Sequence, residues 1–345
     1  MSMHIETRNR RAFELVTEAL RDIDLYKQLK ERKQLQKAES KLEEARSEDP
    51  LYLRAHYYSG ITKDLMGKAT DAIEDFEKVV RENPPFISEV RYNLGVAYYH
   101  RYDLESLQKA QEQFELVLRS TEEPVLKTLA QAVLAQAGAM LILHQVNLML
   151  QAKRGGQEEE ARKHEGEAQK HFEDVTSRCE QVLASLRDFR DLDGETADEI
   201  RWTAHNARGM ALMYHTDGFG SKEEKAARLR EALGELEAAD KYSPQNWANY
   251  CDLGSAHMRL GYWLNDQSEF EQALKYLEEV VSDLRPDYGF ALYEIGRVRR
   301  LKGEFGRAVE YFEKSKQIPY GYRDVSDRRL DREIARADAE DATFP

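Results

Sequence analysis

A histidine followed by glutamate begins the helix of a zinc protease, and His164-Glu165 offers that pair. The second ligand would stand four residues on, where the chain has Ala168, so the two-ligand face is missing. His164 and His171 share a helical face without a third ligand nearby and read as a surface pair. Gly218-Phe219-Gly220-Ser221-Lys222 approximates a phosphate loop, since glycine lets backbone NH groups approach an anion and lysine adds charge. Its six-residue lead-in and preceding strand are absent, and the segment reads as a turn. Cys179 and Cys251 are the only cysteines and stand far apart. They support neither a disulfide framework nor a thiolate metal site and are expected to be reduced packing residues. No local grouping specifies a nucleophile with its base. A non-enzymatic chain without metal or cofactor is expected.

The elements that could position such residues are helices. Over 345 residues, 41% are hydrophobic and 33% charged, with 8 Pro and 19 Gly, a balance suited to amphipathic helices in two or three domains or in a linear array. The formal charge of −13 argues against nucleic acid as the main ligand, because phosphate binding requires a dominant basic surface. Residues 1–11 are polar and lack the apolar core of a secretory signal, so a cytoplasmic location is the expectation. Leu129 to Leu150 is the most apolar segment, but Gln131, Gln136, His144, Gln145 and Asn147 interrupt it. A buried helix is expected there rather than a membrane span.

An apolar triplet spaced four and three residues apart recurs along the chain, often closed by proline. It appears as Ala38, Leu42, Ala45, Pro50 and, 34 residues later, as Ala72, Phe76, Val79, Pro84. Looser copies follow at Ala110-Phe114-Val117, Ala168-Phe172-Val175, Ala232-Leu236-Ala239, Ala273-Leu277-Val280 and Ala308-Phe312-Ser315. Each after the first is preceded by a helix carrying a glycine that admits its partner closely: Gly60, Gly95, Gly138, Gly209, Gly254 and Gly296. Gly67, Gly261 and Gly303 stand where those first helices should stop. The glycine-to-alanine distance grows in the middle copies, which predicts a protruding edge at Gln151–Glu160, Asp217–Lys222 and Tyr262–Phe270.

This pattern resembles the tetratricopeptide repeat family, best over Leu53 to Pro84 and then over Tyr288 to Ser315. The resemblance implies an all-α, right-handed superhelical solenoid of about seven helix pairs with a C-terminal capping helix. Expected boundaries are a flexible 1–11, a solenoid over 12–320 (pairs at 12–50, 51–86, 87–121, 124–186, 197–244, 246–286 and 288–320) and a polar cap and tail over 321–345. The tail reads as a solvated cap or, alternatively, as a docking segment ending in Phe344-Pro345.

In that family the first helix of each pair lines a concave peptide groove. The implied binding residues here are Arg54, Tyr57, Tyr58, Tyr92, Asn93, Tyr99, Asn206, Tyr214, Tyr293, Arg297 and Arg300. Tyrosine supplies contact area with a polar tip, asparagine pairs with peptide NH and C=O groups, and two arginines one turn apart can clamp a carboxylate. Packing between helices competes for the tyrosines, and salt bridges to Glu294 or Glu304 compete for the arginines. Tyr57 and Ile61 stand where the chaperone-binding members need lysine and asparagine, so that co-chaperone role is not expected although Asn93 fits. The expected function is a scaffold or adaptor holding a protein segment or peptide. A ligand-switched regulatory sensor is the alternative, and self-association as a homo-oligomer through Leu129–Leu150 a third reading.

Overall fold

The computed structural model describes residues 6–29, 31–189, 192–318 and 325–344. The first five residues, the end of the last expected pair at 319–320, the start of the tail at 321–324 and Pro345 lie outside them. Among the described residues there are fifteen α-helices and no strand. They are α1 (Arg10–Leu29), α2 (Arg32–Glu48), α3 (Leu53–Leu65), α4 (Ala69–Arg81), α5 (Ile87–Tyr99), α6 (Leu104–Ser120), α7 (Pro124–Arg154), α8 (Glu158–Ser185), α9 (Gly194–Thr216), α10 (Lys222–Asp240), α11 (Trp247–Leu264), α12 (Gln267–Glu279), α13 (Gly289–Leu301), α14 (Phe305–Gln317) and α15 (Asp327–Asp338). A π-helical turn, Val280–Leu284, continues α12. The chain divides into two compact units, Met1–Ala130 and Gln131–Pro345, with the boundary inside α7.

The apolar triplets form the second helices' inner faces. All their members except Phe172 are fully buried. Every first-helix glycine but Gly138 sits under the triplet's large residue: a Cβ on Gly60 would fall 2.7 Å from the Phe76 ring, and one on Gly296 2.5 Å from Phe312. Only hydrogen fits there, which sets how closely the helices of a pair approach. Polar side chains start many of the helices. Asp103, Asp193, Asn246, Asp266 and Ser326 accept from backbone NH groups of the first turn, and Ser221 forms a reciprocal capping box with Glu224.

Three expectations are corrected. In the α7–α8 pair the residue over Gly138 is Val175, not Phe172; the buried row of α8 runs Ala161, Ala168, Val175, Cys179 and Val182, leaving Phe172 half-buried beside His215. Gly261 does not end its helix. It lies within α11 against Phe270, and the helix stops at Asn265 in the left-handed region (φ 56°). The predicted edge also differs, because much of the extra length became helix: α7 and α8 have 31 and 28 residues. Gln151–Glu160 is mostly exposed, but Gly218 packs on Val146 and Met149, and Tyr262 and Trp263 are half-buried. At the N-terminus, Thr7 bonds Asp49 and Asn9 bonds Glu48, tying part of the segment expected to be flexible to the end of α2. α7 is long and apolar enough to cross a membrane, yet 61% of its most apolar window is buried.

Candidate functional site

In the first unit, α3 packs against α5 and brings together four of the implied binding residues. The Asn93 side chain donates to the Tyr57 hydroxyl at 2.8 Å and to the Glu89 carbonyl at 2.9 Å. Tyr57 meets Tyr58 and Phe86 with ring centroids 5.1 and 5.5 Å apart, and the Arg54 guanidinium lies 5.8 Å over Phe86. Burial pushes the Tyr57 phenol above its ordinary pKa, so it stays neutral. Tyr92 leans on Phe114 at 5.9 Å, and the largely buried Tyr99 packs on Tyr102 at 5.3 Å. These two belong more to helix packing than to the Tyr57 cluster.

Beneath α3 lies a residue the sequence did not single out. Asp75 of α4 is 1% exposed. It accepts from Ser59 at 2.8 Å, Lys63 at 2.6 Å and Arg46 at 3.3 Å, and His56 Nδ1 stands 3.9 Å away. Burial would raise its pKa, but His56, Lys63, Ser59 and the Arg46 charge hold the carboxyl well below the usual range. This carboxylate joins α2, α3 and α4.

The second unit carries buried polar groups on the first helices themselves. Asn206 of α9 accepts from Gln136 at 3.0 Å and donates to Asp252 of α11 at 2.9 Å and to Asn249 at 3.3 Å. Asp252 is half-buried by area but closely surrounded by protein. Burial lifts its pKa to about 7 against the opposing pull of Asn206 and Arg259. Arg259 forks onto Asp217 at 3.0 and 2.9 Å and lies 5.6 Å over Tyr214. Next along, Glu294 of α13 accepts from Ser255 at 3.0 Å and from Arg297 at 2.8 Å. Burial opposes its ionisation, but Arg297 and Arg259 hold it charged.

The competing readings of the arginines divide. Arg297 pairs with Glu294, but Arg300 bonds Glu333 of α15 at 2.9 Å, and it is Arg299 that takes Glu304. Tyr293 is fully buried, with its hydroxyl accepting from Arg329 at 2.8 Å. His215 is likewise taken up in packing. It lies between Phe172 and Phe219, with centroids 4.3 and 4.0 Å away, accepts from Arg228 at Nδ1 and meets Gln169 at Nε2. Burial and the Arg228 charge lower its pKa to about 4, keeping it neutral. His164 meets Gln145 at 2.7 Å and Glu160 at 3.2 Å. Among the described residues no three or more His, Cys, Asp or Glu side chains are grouped to hold a metal ion.

Sequence reasoning therefore missed Asp75, Asp252 and Arg259, whereas Glu294 was foreseen as a salt-bridge partner for the arginines. Each of the three missed is a charged residue on an otherwise apolar helix stripe, which is the signal that could have flagged them.

Helix pairs stacked around glycine–aromatic contacts, with polar groups on adjacent first helices, define an all-α repeat protein. Residues 66–125 and 264–321 match the profile of the tetratricopeptide repeat. The chain is similar to a tetratricopeptide repeat protein from Parabacteroides merdae, at 14% identity and a TM-score of 0.52, over 95% of this chain and 99% of that one. It also aligns with a thermophilic tetratricopeptide repeat protein of Thermus thermophilus, at 15% identity and a TM-score of 0.45, over 73% of this chain and 99% of that one. No curated protein matches the sequence significantly. The two matched segments, residues 66–125 and 264–321, thus carry tetratricopeptide repeats.

Proposed function

We propose that the protein is a non-enzymatic scaffold that holds an extended segment of a partner protein along the first helices of its repeats. The observation that carries this reading is the row Asn206, Asp252, Ser255, Glu294 and Arg297, hydrogen-bonding groups set along the three first helices α9, α11 and α13. Asn206, Ser255, Glu294 and Arg297 are buried and bonded to their neighbours, so they fix the face, while the half-buried Asp252 presents a carboxylate that can accept from the NH groups of an extended peptide. In the first unit, Tyr57, Tyr58 and Asn93 supply a smaller patch of the same character. A cytoplasmic setting for this binding is part of the same proposal.

The test is affinity capture from native extract with the wild-type chain and two variants shown by circular dichroism to be folded. One carries Tyr57→Ala and Tyr92→Ala, the other Asn206→Ala and Asp252→Ala. A specific protein lost from either variant assigns the binding to that face. A specific protein captured equally by all three removes the first-helix faces from the function.

A further inference from the structure

The segment after α15 lies against α11 and α13. Arg300, which is fully buried, donates to the Thr343 carbonyl at 2.9 Å and also bonds the Asp341 carbonyl. Arg336 reaches the Thr343 hydroxyl at 3.1 Å and the Asp341 carboxylate at 2.8 Å. These contacts, with the Thr343 bonds to its own side chain, hold the Asp341 carboxyl well below the usual range. The Phe344 ring then sits between two guanidiniums, 5.3 Å from Arg297 and 5.6 Å from Arg259, with Tyr262 and Trp263 at 5.2 and 6.4 Å. The ring is half-buried, and guanidiniums over its face are an environment that selects an aromatic ring over an aliphatic side chain. Arg297 Nε and Arg300 Nη2 are buried without a hydrogen-bond partner, so the arginines have donors beyond those the segment uses.

We infer that Asp341–Phe344 is a built-in ligand: it occupies a recognition site for an extended segment bearing a carboxylate and, three residues later, an aromatic ring. A partner segment of that chemistry binds by displacing it. The inference rests on the scaffold reading and adds to it the partner's chemistry and its regulation. Three features place a peptide here. Backbone carbonyls are read by Arg300, a carboxylate is read by Arg336, and the ring is read by Arg259 and Arg297. An intramolecular occupant is present at high effective concentration, so it sets a threshold that a free partner must exceed.

A fluorescent peptide reproducing residues 339–344 is titrated into the full-length chain and into Phe344→Ala, with melting curves recorded for both. Phe344→Ala is expected to bind the peptide at least tenfold more tightly than the wild type, and a peptide with alanine in place of the phenylalanine is expected to lose at least tenfold. Equal affinity for the two chains, or for the two peptides, overturns the inference. A second measurement does not depend on that variant's folding: with a dye attached through Pro345→Cys, excess unlabelled peptide should lower the dye's anisotropy as the segment is released. No change at saturating peptide also overturns it. If the peptide experiments fail while the Asn206→Ala and Asp252→Ala variant still loses a captured protein, the built-in ligand is refuted and the scaffold reading stands.

Discussion

The two units place their buried charge differently. In the first, the most deeply buried carboxylate, Asp75, belongs to a second helix and is consumed in holding α2, α3 and α4 together, while the first-helix patch around Tyr57 and Asn93 carries a single charge, Arg54 over Phe86. In the second, the charges sit on the first helices: Asp252 and Arg259 on α11, Glu294 and Arg297 on α13. The same repeat chemistry thus yields one unit whose electrostatics lock a helix pair and another whose electrostatics line a face. Buried ion pairs are weak sources of net stability but costly to break, so the two arrangements should fail in different ways.

The largest expected effect is that of Asp75→Ala. It strands Lys63 and Arg46 beside a buried void and should cost the first unit about 3–5 kcal/mol. Hydrogen exchange should show faster exchange in α2 to α4 with α9 to α13 unchanged; protection lost equally in both units would abolish the contrast. With its pKa held low in the folded state, Asp75 contributes stability above the unfolded carboxylate pKa, and that contribution declines only as pH falls below about 4.

The second unit should respond to pH through two opposed groups. His215, lowered to about 4, contributes stability that is complete above its unfolded value of 6.5 and is lost as pH falls toward 4, up to about 3 kcal/mol. Asp252, raised to about 7, acts in the opposite sense: its contribution is present at low pH and is lost as pH rises from about 4 to 7. Their slopes oppose each other in the wild type. Asp252→Asn should expose the His215 slope, so that urea denaturation of this variant shows a steeper loss between pH 7 and pH 4 than the wild type. A parallel pair of stability profiles would mean that Asp252 does not titrate in this range.

The same substitution at pH 8 should stabilise the second unit by on the order of 1–2 kcal/mol, because it removes a buried charge while an amide oxygen can still accept from Asn206. Tyr57→Phe is expected to have the smallest effect, about 1 kcal/mol, since it loses one hydrogen bond from Asn93 and keeps the ring contacts. It is read from the melting of the first unit. A larger loss would place the hydroxyl in a wider network and narrow the difference between the units.

The helices and their pairing were legible because the glycine over the triplet is a local, periodic signal, as at Gly60 with Phe76 and at Gly296 with Phe312. The signal weakened where helices lengthened. In α8 the buried row passes through Val175 and Cys179, a register that the triplet count from Ala168 could not supply. Site residues were legible as types but not as partners. Arg297 takes the Glu294 that the sequence offered, yet the groups that decide the role of Arg300, Glu333 and Thr343, lie 33 and 43 residues beyond it. Phe344 stood out as an aromatic residue in a polar tail, but nothing local connects it with Arg259 or Arg297. Charged residues such as Asp75 were hidden because a carboxylate on an amphipathic helix is ordinarily solvated, and only packing shows that this one is enclosed.

Both thiols lie in the second unit and both are buried, and burial pushes the Cys179 thiol up to about 12. Near neutral pH almost none of Cys179 is thiolate while the helices are closed, so alkylation must wait for an opening that returns the thiol to its ordinary acidity. The rate of labelling at Cys179 therefore works as a clock for opening of α8 from its neighbours. The first unit, which has no cysteine, is silent in the same experiment.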